Sequence, residues 1–259
     1  ATMHFGDGEV WLREEPGLFM TGAVERLDLR GWVRTARTAA SGSSATAGTA
    51  RFSAAPGFGG ADLEVESAVY AGYAFTDARL RARQVDEDWL VDLKSDEARG
   101  QIRIPVNVGA GEPIHVRYDW IDLGLLARES EAGDDEAAGP RERGEDALDA
   151  IDPARVPPLD VQVGRLKTRN ALLNDITLVT RPSSEGMTIH RLGFDNGDLR
   201  LEGQGQWRDR PRNRTSLRMN LRGSDFGSGL SELGYGGALV GGEGKVTASL
   251  DWDGPPWSP

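Results

Sequence analysis

Cysteine is absent from the 259 residues, which removes disulfides, thiolate nucleophiles and cysteine metal sites together. Lysine is scarce, since only Lys94, Lys167 and Lys245 are found among the 30 basic residues. The three histidines, His4, His115 and His190, are isolated and lack metal-ligand spacing. No apolar run approaches the roughly 18 residues that cross a bilayer, and nothing at the start reads as a signal peptide. The last stretch, residues 253–259, follows a strand pattern directly, so the chain is expected to be a piece of something longer. A basic excess is also missing. Net charge is −11, with 4 basic against 10 acidic residues over 127–158 and 13 against 12 over 159–259. That balance argues against a nucleic-acid partner and against electrostatic adhesion to anionic headgroups. It leaves binding of neutral acyl chains untouched.

Period-two alternation is abundant. It runs through Leu159–Val163, Ile176–Leu178, Met187–Ile189, Leu199–Leu201 and Leu217–Leu221, and through Ile102–Val106 and Ile114–Tyr118. Successive side chains of a strand point to opposite faces, so each segment carries one apolar and one polar face, as antiparallel sheets do. Turn residues such as Asn196-Gly197 separate the segments. Helix signals are short. Asp28 is placed to cap Leu29–Ala39, and Asp225 to cap Phe226–Leu233, with Gly234 stopping it. The expected fold is all-β: an elongated antiparallel sheet, open groove or sandwich, with a few short helices.

An internal repeat organises the chain. Leu63-Glu64-Val65 resembles Leu159-Asp160-Val161, an offset of 96, and Thr76-Asp77-Ala78 resembles Asn174-Asp175-Ile176, an offset of 98. Gly100–Ile104 resembles Gly197–Leu201, an offset of 97, and Asp122-Leu123-Gly124 resembles Asp225-Phe226-Gly227, an offset of 103. Each copy reads as five strands ending in a turn or short helix. Residues 1–126 then form a β-rich segment whose first full repeat is 63–126. Residues 127–158 read as an acidic, proline-rich linker or insertion, with a helical turn over Ala147–Ile151, and 159–259 as the second repeat. Ala39–Ala50 reads as a flexible loop.

Catalytic constellations are hard to find. There is no G-x-S-x-G elbow, and Gly241–Lys245 lacks the first glycine and the Ser/Thr of a phosphate loop, so it reads as a turn before a strand. Glu87 with Asp88, and Asp195 with Asp198, flank turns where Asp commonly bonds the local backbone. His115 and His190 alternate with apolar neighbours and are expected on polar faces. Arg208, Arg210, Arg212 and Arg214 surround a hairpin tip and are a candidate headgroup contact.

The ordered motifs Gly203-Gln204-Gly205-Gln206-Trp207, Leu230-Ser231-Glu232-Leu233-Gly234-Tyr235, Gly241-Gly242-Glu243-Gly244 and Leu250-Asp251-Trp252 resemble the YhdP/AsmA-like family. Gly17–Gly22, with Leu27 through Trp32, resembles its other recurring strand-to-helix element. The likeness covers most of 3–126 and 159–259. It implies a periplasmic stretch of a large protein of the cell envelope, tethered to the inner membrane by an anchor missing here. The implied function is phospholipid transport toward the outer membrane along an apolar groove. No cofactor, metal or catalysis is expected. The implied partners are phospholipid acyl chains and adjoining segments of the same chain. Candidate floor residues are Val161, Val163, Ile176, Leu178, Met187, Ile189, Leu199, Leu201, Leu217, Met219 and Leu221. The alternatives are a β spacer whose same residues form a dry core, and a carbohydrate-active enzyme with two carboxylates facing one cleft.

Overall fold

A computed structural model describes residues 1–7, 17–29, 57–70, 73–106, 111–125, 127–128, 153–209, 212–237 and 239–256. The chain divides into two compact units, Ala1–Gly133 and Asp134–Pro259.

The first unit contains β1 (Thr2–Phe5), β2 (Leu18–Asp28), β3 (Phe58–Tyr70), β4 (Tyr73–Val85), β5 (Asp88–Lys94), β6 (Ala98–Ile104), β7 (Ile114–Asp122) and the short β8 (Ala127–Arg128). β3 to β7 pair antiparallel in chain order, and β8 pairs with β4. β1–β2 and β2–β3 are parallel, so this sheet is mixed where alternation led us to expect antiparallel pairing throughout. Alternation cannot distinguish the two. A parallel pair needs a long connection, and β2 and β3 are 29 residues apart in the chain. Leu63, Val65, Ala68 and Ala78 form the buried centre of the unit, joined by Met20, Leu27, Leu93 and Ala98. The opposite face carries cross-strand ion pairs, Asp62 with Arg79 and Arg81, and Asp88 with Arg103.

The second unit is β9 (Leu159–Lys167), β10 (Leu172–Ser183), β11 (Gly186–Asp195), β12 (Leu199–Arg208), β13 (Arg214–Gly223), α1 (Phe226–Glu232) and β14 (Gly244–Asp253). All its ladders are antiparallel and sequential. β14 pairs with β13 and not with β9, so the sheet stays open and is not a barrel. A 3-10 turn, Pro153–Arg155, packs against β10 and β11. α1 begins where it was expected: Asp225 is extended and its side chain accepts from the Ser228 N–H. Leu233 closes the helix and Gly234 follows at φ +87°, a conformation glycine adopts without a Cβ clash.

The five-strand copies are β3–β7 and β9–β13. Beyond Leu29, the helix expected over Leu29–Ala39 lies outside the described residues. So do the loop Ala39–Ala50, the turn Ala147–Ile151 and most of the 127–158 linker.

Candidate functional site

Cross-strand partners in a sheet share a face, so the register decides which candidate residues meet. Val163 faces Ile176 and Val161 faces Leu178 across β9–β10. Leu178 then faces Leu192, and Ile189 faces Thr180, across β10–β11. On β12, Trp207 faces Met187, Gly205 faces Ile189 and Leu201 faces Phe194. β13 presents Leu217 opposite Gly205, Met219 opposite Gly203, Leu221 opposite Leu201, and Gly223 opposite Leu199. The register therefore puts all eleven candidate positions on one face of the second sheet.

Sequence reasoning missed several members of that face. Leu192 and Phe194 fall out of phase with Met187 and Ile189 because a bulge in β11 lies between Ile189 and Leu192. The sequence carries the signal as two apolar pairs separated by one extra residue. Val246, Ala248 and Leu250 on β14 stand opposite Leu221, Met219 and Leu217. Their alternation matched the strand expected there, yet they were left out of the candidate set. Trp207 ends the G-x-G-x-W motif in phase with Leu201.

Burial divides the face. Leu199 is 0% exposed and Trp207 1%, and Val163, Met187, Ile189 and Leu217 are also buried. Val161, Ile176, Leu178, Leu192, Phe194, Leu201, Met219 and Leu221 are half-buried. On β14, Val246 is 49% exposed and Leu250 43%. The residues able to meet a ligand are thus a transverse lane crossing the strands from β9 to β14.

The lane is bounded at both strand ends. At one end α1 lies so close to β12 that a Cβ on Gly229 would sit 2.2 Å from Leu199 Cγ. The Phe226 ring likewise lies over Gly223. The first helical N–H groups, of Phe226 and Gly227, donate to the carbonyls of Gly242 and Gly241 at 2.7 and 3.0 Å. The Gly241–Gly244 motif, expected as a turn before a strand, leads into β14 and also caps α1. Asn196 Nδ2 donates to Leu172 O at 2.7 Å and to Glu232 Oε2 at 3.1 Å, tying α1 to the β10 and β11 ends. At the other end Trp207 Nε1 donates to Asn213 Oδ1, and Trp252 Nε1 to Pro255 O. Both indole donors are satisfied within the chain, as buried or half-buried indoles require.

Between these ends β12 offers Gly203 and Gly205 to the face. A Cβ on Gly205 would meet Ser216 O at 2.1 Å and Leu217 Cδ2 at 2.7 Å. The glycines let β13 approach and let Leu217 and Met219 lean over β12.

The opposite face is polar. Arg200 pairs with Asp195, Arg208 with Glu185, and Arg214 with Asp251. The Gly197 N–H and the Arg200 guanidinium hold the Asp195 carboxyl below the usual carboxylate range. The Ser216 hydroxyl and Arg214 do the same for Asp251. Arg208 and Arg214 of the candidate headgroup cluster thus already have carboxylate partners, and Arg210 lies outside the described residues.

The carboxylates considered for catalysis do local work. Glu87 occupies the β4–β5 turn at φ +73°, Asp88 accepts from Arg103, and Asp195 accepts from Gly197 N. The Asp198 carbonyl accepts from Ser224 N. His190 is exposed in the β11 bulge, and His115 stands opposite Arg103. Among the described residues no group of three His, Asp or Glu side chains could hold a metal ion, and no helix is long and apolar enough to cross a membrane.

Comparison with curated proteins and with solved structures returns no match. A model of the YhdP protein family matches residues 2–259, so this two-unit β chain, whose G-x-G-x-W and Gly-rich helix motifs build one apolar face, belongs to the YhdP family.

Proposed function

We propose that the apolar face of the second unit is a floor for phospholipid acyl chains, and that the chain is a non-catalytic lipid-conducting segment of the cell envelope. The observation that carries this reading is the lane itself. Eight half-buried apolar residues and two exposed ones run continuously across six strands, between two capped ends, on a sheet whose reverse side is charged. Six strands about 4.8 Å apart span roughly 24 Å, the scale of a long acyl chain.

Acyl chains gain about 0.8 kcal/mol per buried CH₂, so a floor of aliphatic side chains retains them without a dedicated polar group. A chain sliding along the lane exchanges one aliphatic contact for an equivalent one. No bond is made or broken, and no acid, base or metal is required. Family membership supports an envelope role linked to lipid transport. Placement in the periplasm, an inner-membrane anchor and delivery toward the outer membrane belong to the same proposal.

The test is native mass spectrometry of the purified chain, with solvent extraction of co-purifying lipid. Stoichiometric phospholipid is expected in the wild type and loss of it in Leu178→Asp/Leu201→Asp, both half-buried positions. Retained lipid in a folded double variant would overturn the assignment. A lipid-free wild type would favour the spacer reading, which the burial of Val163, Met187, Ile189, Leu199 and Leu217 supports.

A further inference from the structure

The ring of Tyr118 lies across a glycine. On the apolar face of the first unit the register places Leu80, Leu93, Gly100 and Tyr118 in one row across β4–β7, beside a second row of Ala82, Val91, Ile102 and Val116. A Cβ on Gly100 would sit 2.4 Å from Tyr118 Cγ, so the missing side chain lets the phenol lie over β6. Aromatic packing on a sheet glycine needs only the ring, and phenylalanine would serve it equally. The hydroxyl is left over. Tyr118 is half-buried, and burial, followed by the nearby Tyr70, pushes its phenol above the usual range, so it stays protonated. Tyr70, two residues beyond the buried Ala68, shares the face by alternation and is 52% exposed. Among the described residues neither hydroxyl has an acceptor, although half-buried phenols usually find one.

The surroundings select the acceptor. Alternation turns Arg79, Arg81, Lys94, Arg99 and Arg103 to the opposite face, so no cation stands in either row. A phosphate there would lack the charge-assisted bonds that it ordinarily takes. A neutral carbonyl oxygen needs one neutral donor, which a phenol supplies. Ala82, Val91, Ile102 and Val116 are half-buried and aliphatic, so the group attached to that carbonyl is a hydrocarbon chain. Four strands about 4.8 Å apart span roughly 14 Å, the scale of a twelve-carbon chain.

We propose that Tyr118 donates a hydrogen bond to the carbonyl of a neutral acyl ester whose chain lies along Ala82, Val91, Ile102 and Val116. This rests on the reading of the apolar faces of this chain as acyl floors, and it adds a directional group. Aliphatic contacts give a sliding chain no preferred stop, whereas one bond to the ester does. The row is shorter than the lane of the second unit, so it retains a chain less tightly and fills from added ester.

The probe is monolauroylglycerol, titrated calorimetrically into the whole chain beside the monododecyl ether of glycerol, which has the same chain length and no carbonyl. The ester is expected to bind about tenfold more tightly than the ether in the wild type. In Tyr118→Phe, which keeps the ring on Gly100, that difference should vanish while circular dichroism stays unchanged. Equal binding of ester and ether by the wild type would overturn the proposal, as would a preference that survives Tyr118→Phe. Tighter binding of monolauroylglycerol phosphate than of the neutral ester would overturn the choice of a neutral acceptor. Phospholipid extracted from the purified chain reports on the second unit and should be equal in wild type and Tyr118→Phe, so that reading and this one fail separately.

Discussion

Asp77 and Asp175, 98 residues apart, share the same left-handed backbone, at φ +46° and +49°. Each interrupts its ladder at one rung. Val65↔Ala78 and Ser67↔Thr76 flank the break in the first unit, and Val163↔Ile176 and Arg165↔Asn174 flank it in the second. In the first unit the gap extends to β2, between Val24↔Val65 and Arg26↔Ser67. The apolar phase changes there, from Leu63 and Val65 to Ala68, so residues on both sides of the crease join one core. The amide just before each aspartate is also capped alike. Thr76 N donates to Glu97 Oε2 at 2.9 Å, and Asn174 N to Asn196 Oδ1 at 2.8 Å.

A crease that needs positive φ rejects β-branched residues. Asp175→Val is expected to cost about 1–2 kcal/mol from the clash of Cβ with the neighbouring carbonyl. Asp175→Gly, free of that clash, should stay within about 1 kcal/mol of wild type. Urea midpoints of the two variants decide the point. Equal stability would mean that the left-handed backbone imposes no constraint.

This crease also shows how far the sequence could be read. Strand existence, the five-strand repeat, the Asp225 cap and the common face of the candidate residues all followed from period-two patterns and turn chemistry. Register did not. The likeness of Leu63-Glu64-Val65 to Leu159-Asp160-Val161 implied an offset of 96, whereas pairing through the two aspartates aligns Val65 with Val163, an offset of 98. A slip of two preserves the face, so alternation is blind to it. The likeness of Gly100 to Gly197 failed more plainly: Gly100 lies within β6, while Gly197 sits in the β11–β12 turn at φ +85°. The turns themselves align Ala98 with Leu199, because Ser95 N donates to Ala98 O as Asn196 N does to Leu199 O. The β11 bulge accounts for part of the added length, and a bulge leaves only one surplus residue as its trace.

Acid should weaken the first unit through Asp62. Burial pushes its carboxyl up, but hydrogen bonds and charge from Arg79 and Arg81 outweigh that and hold it below the usual range. A depressed folded pKa contributes stability above the unfolded value of about 4, and the contribution is lost as pH falls through the folded value. Asp62→Asn should therefore lower the urea midpoint at pH 7 slightly and flatten its decline below about pH 4. An unchanged acid limb would show that the exposed arginines contribute nothing measurable.

The close approach of α1 to β12 makes Gly229 intolerant of any side chain. Gly229→Ala should cost about 1–3 kcal/mol, since the new methyl overlaps Leu199. Truncating Leu199 to Ala makes room, so the double variant should be more stable than the sum of the single effects implies. A strictly additive cycle would show that the helix does not rest on Leu199.

Charge placed on the apolar face should have opposite consequences at its two kinds of position. Leu199 is fully buried beneath α1, so Leu199→Asp would bury an unpaired carboxylate and is expected to prevent folding. Val246 and Leu250 keep nearly half their surface in water, so Val246→Asp/Leu250→Asp should shift the urea midpoint little, within about 1 kcal/mol. If acyl chains cross β14 at the end of the lane, that tolerant double variant loses lipid while remaining folded. Circular dichroism and lipid extraction on one preparation separate the two effects. A folded Val246→Asp/Leu250→Asp chain with wild-type lipid content would confine the occupied lane to β9–β13. Its loss of lipid would extend the floor to β14, where Val246 and Leu250 are the exposed apolar side chains.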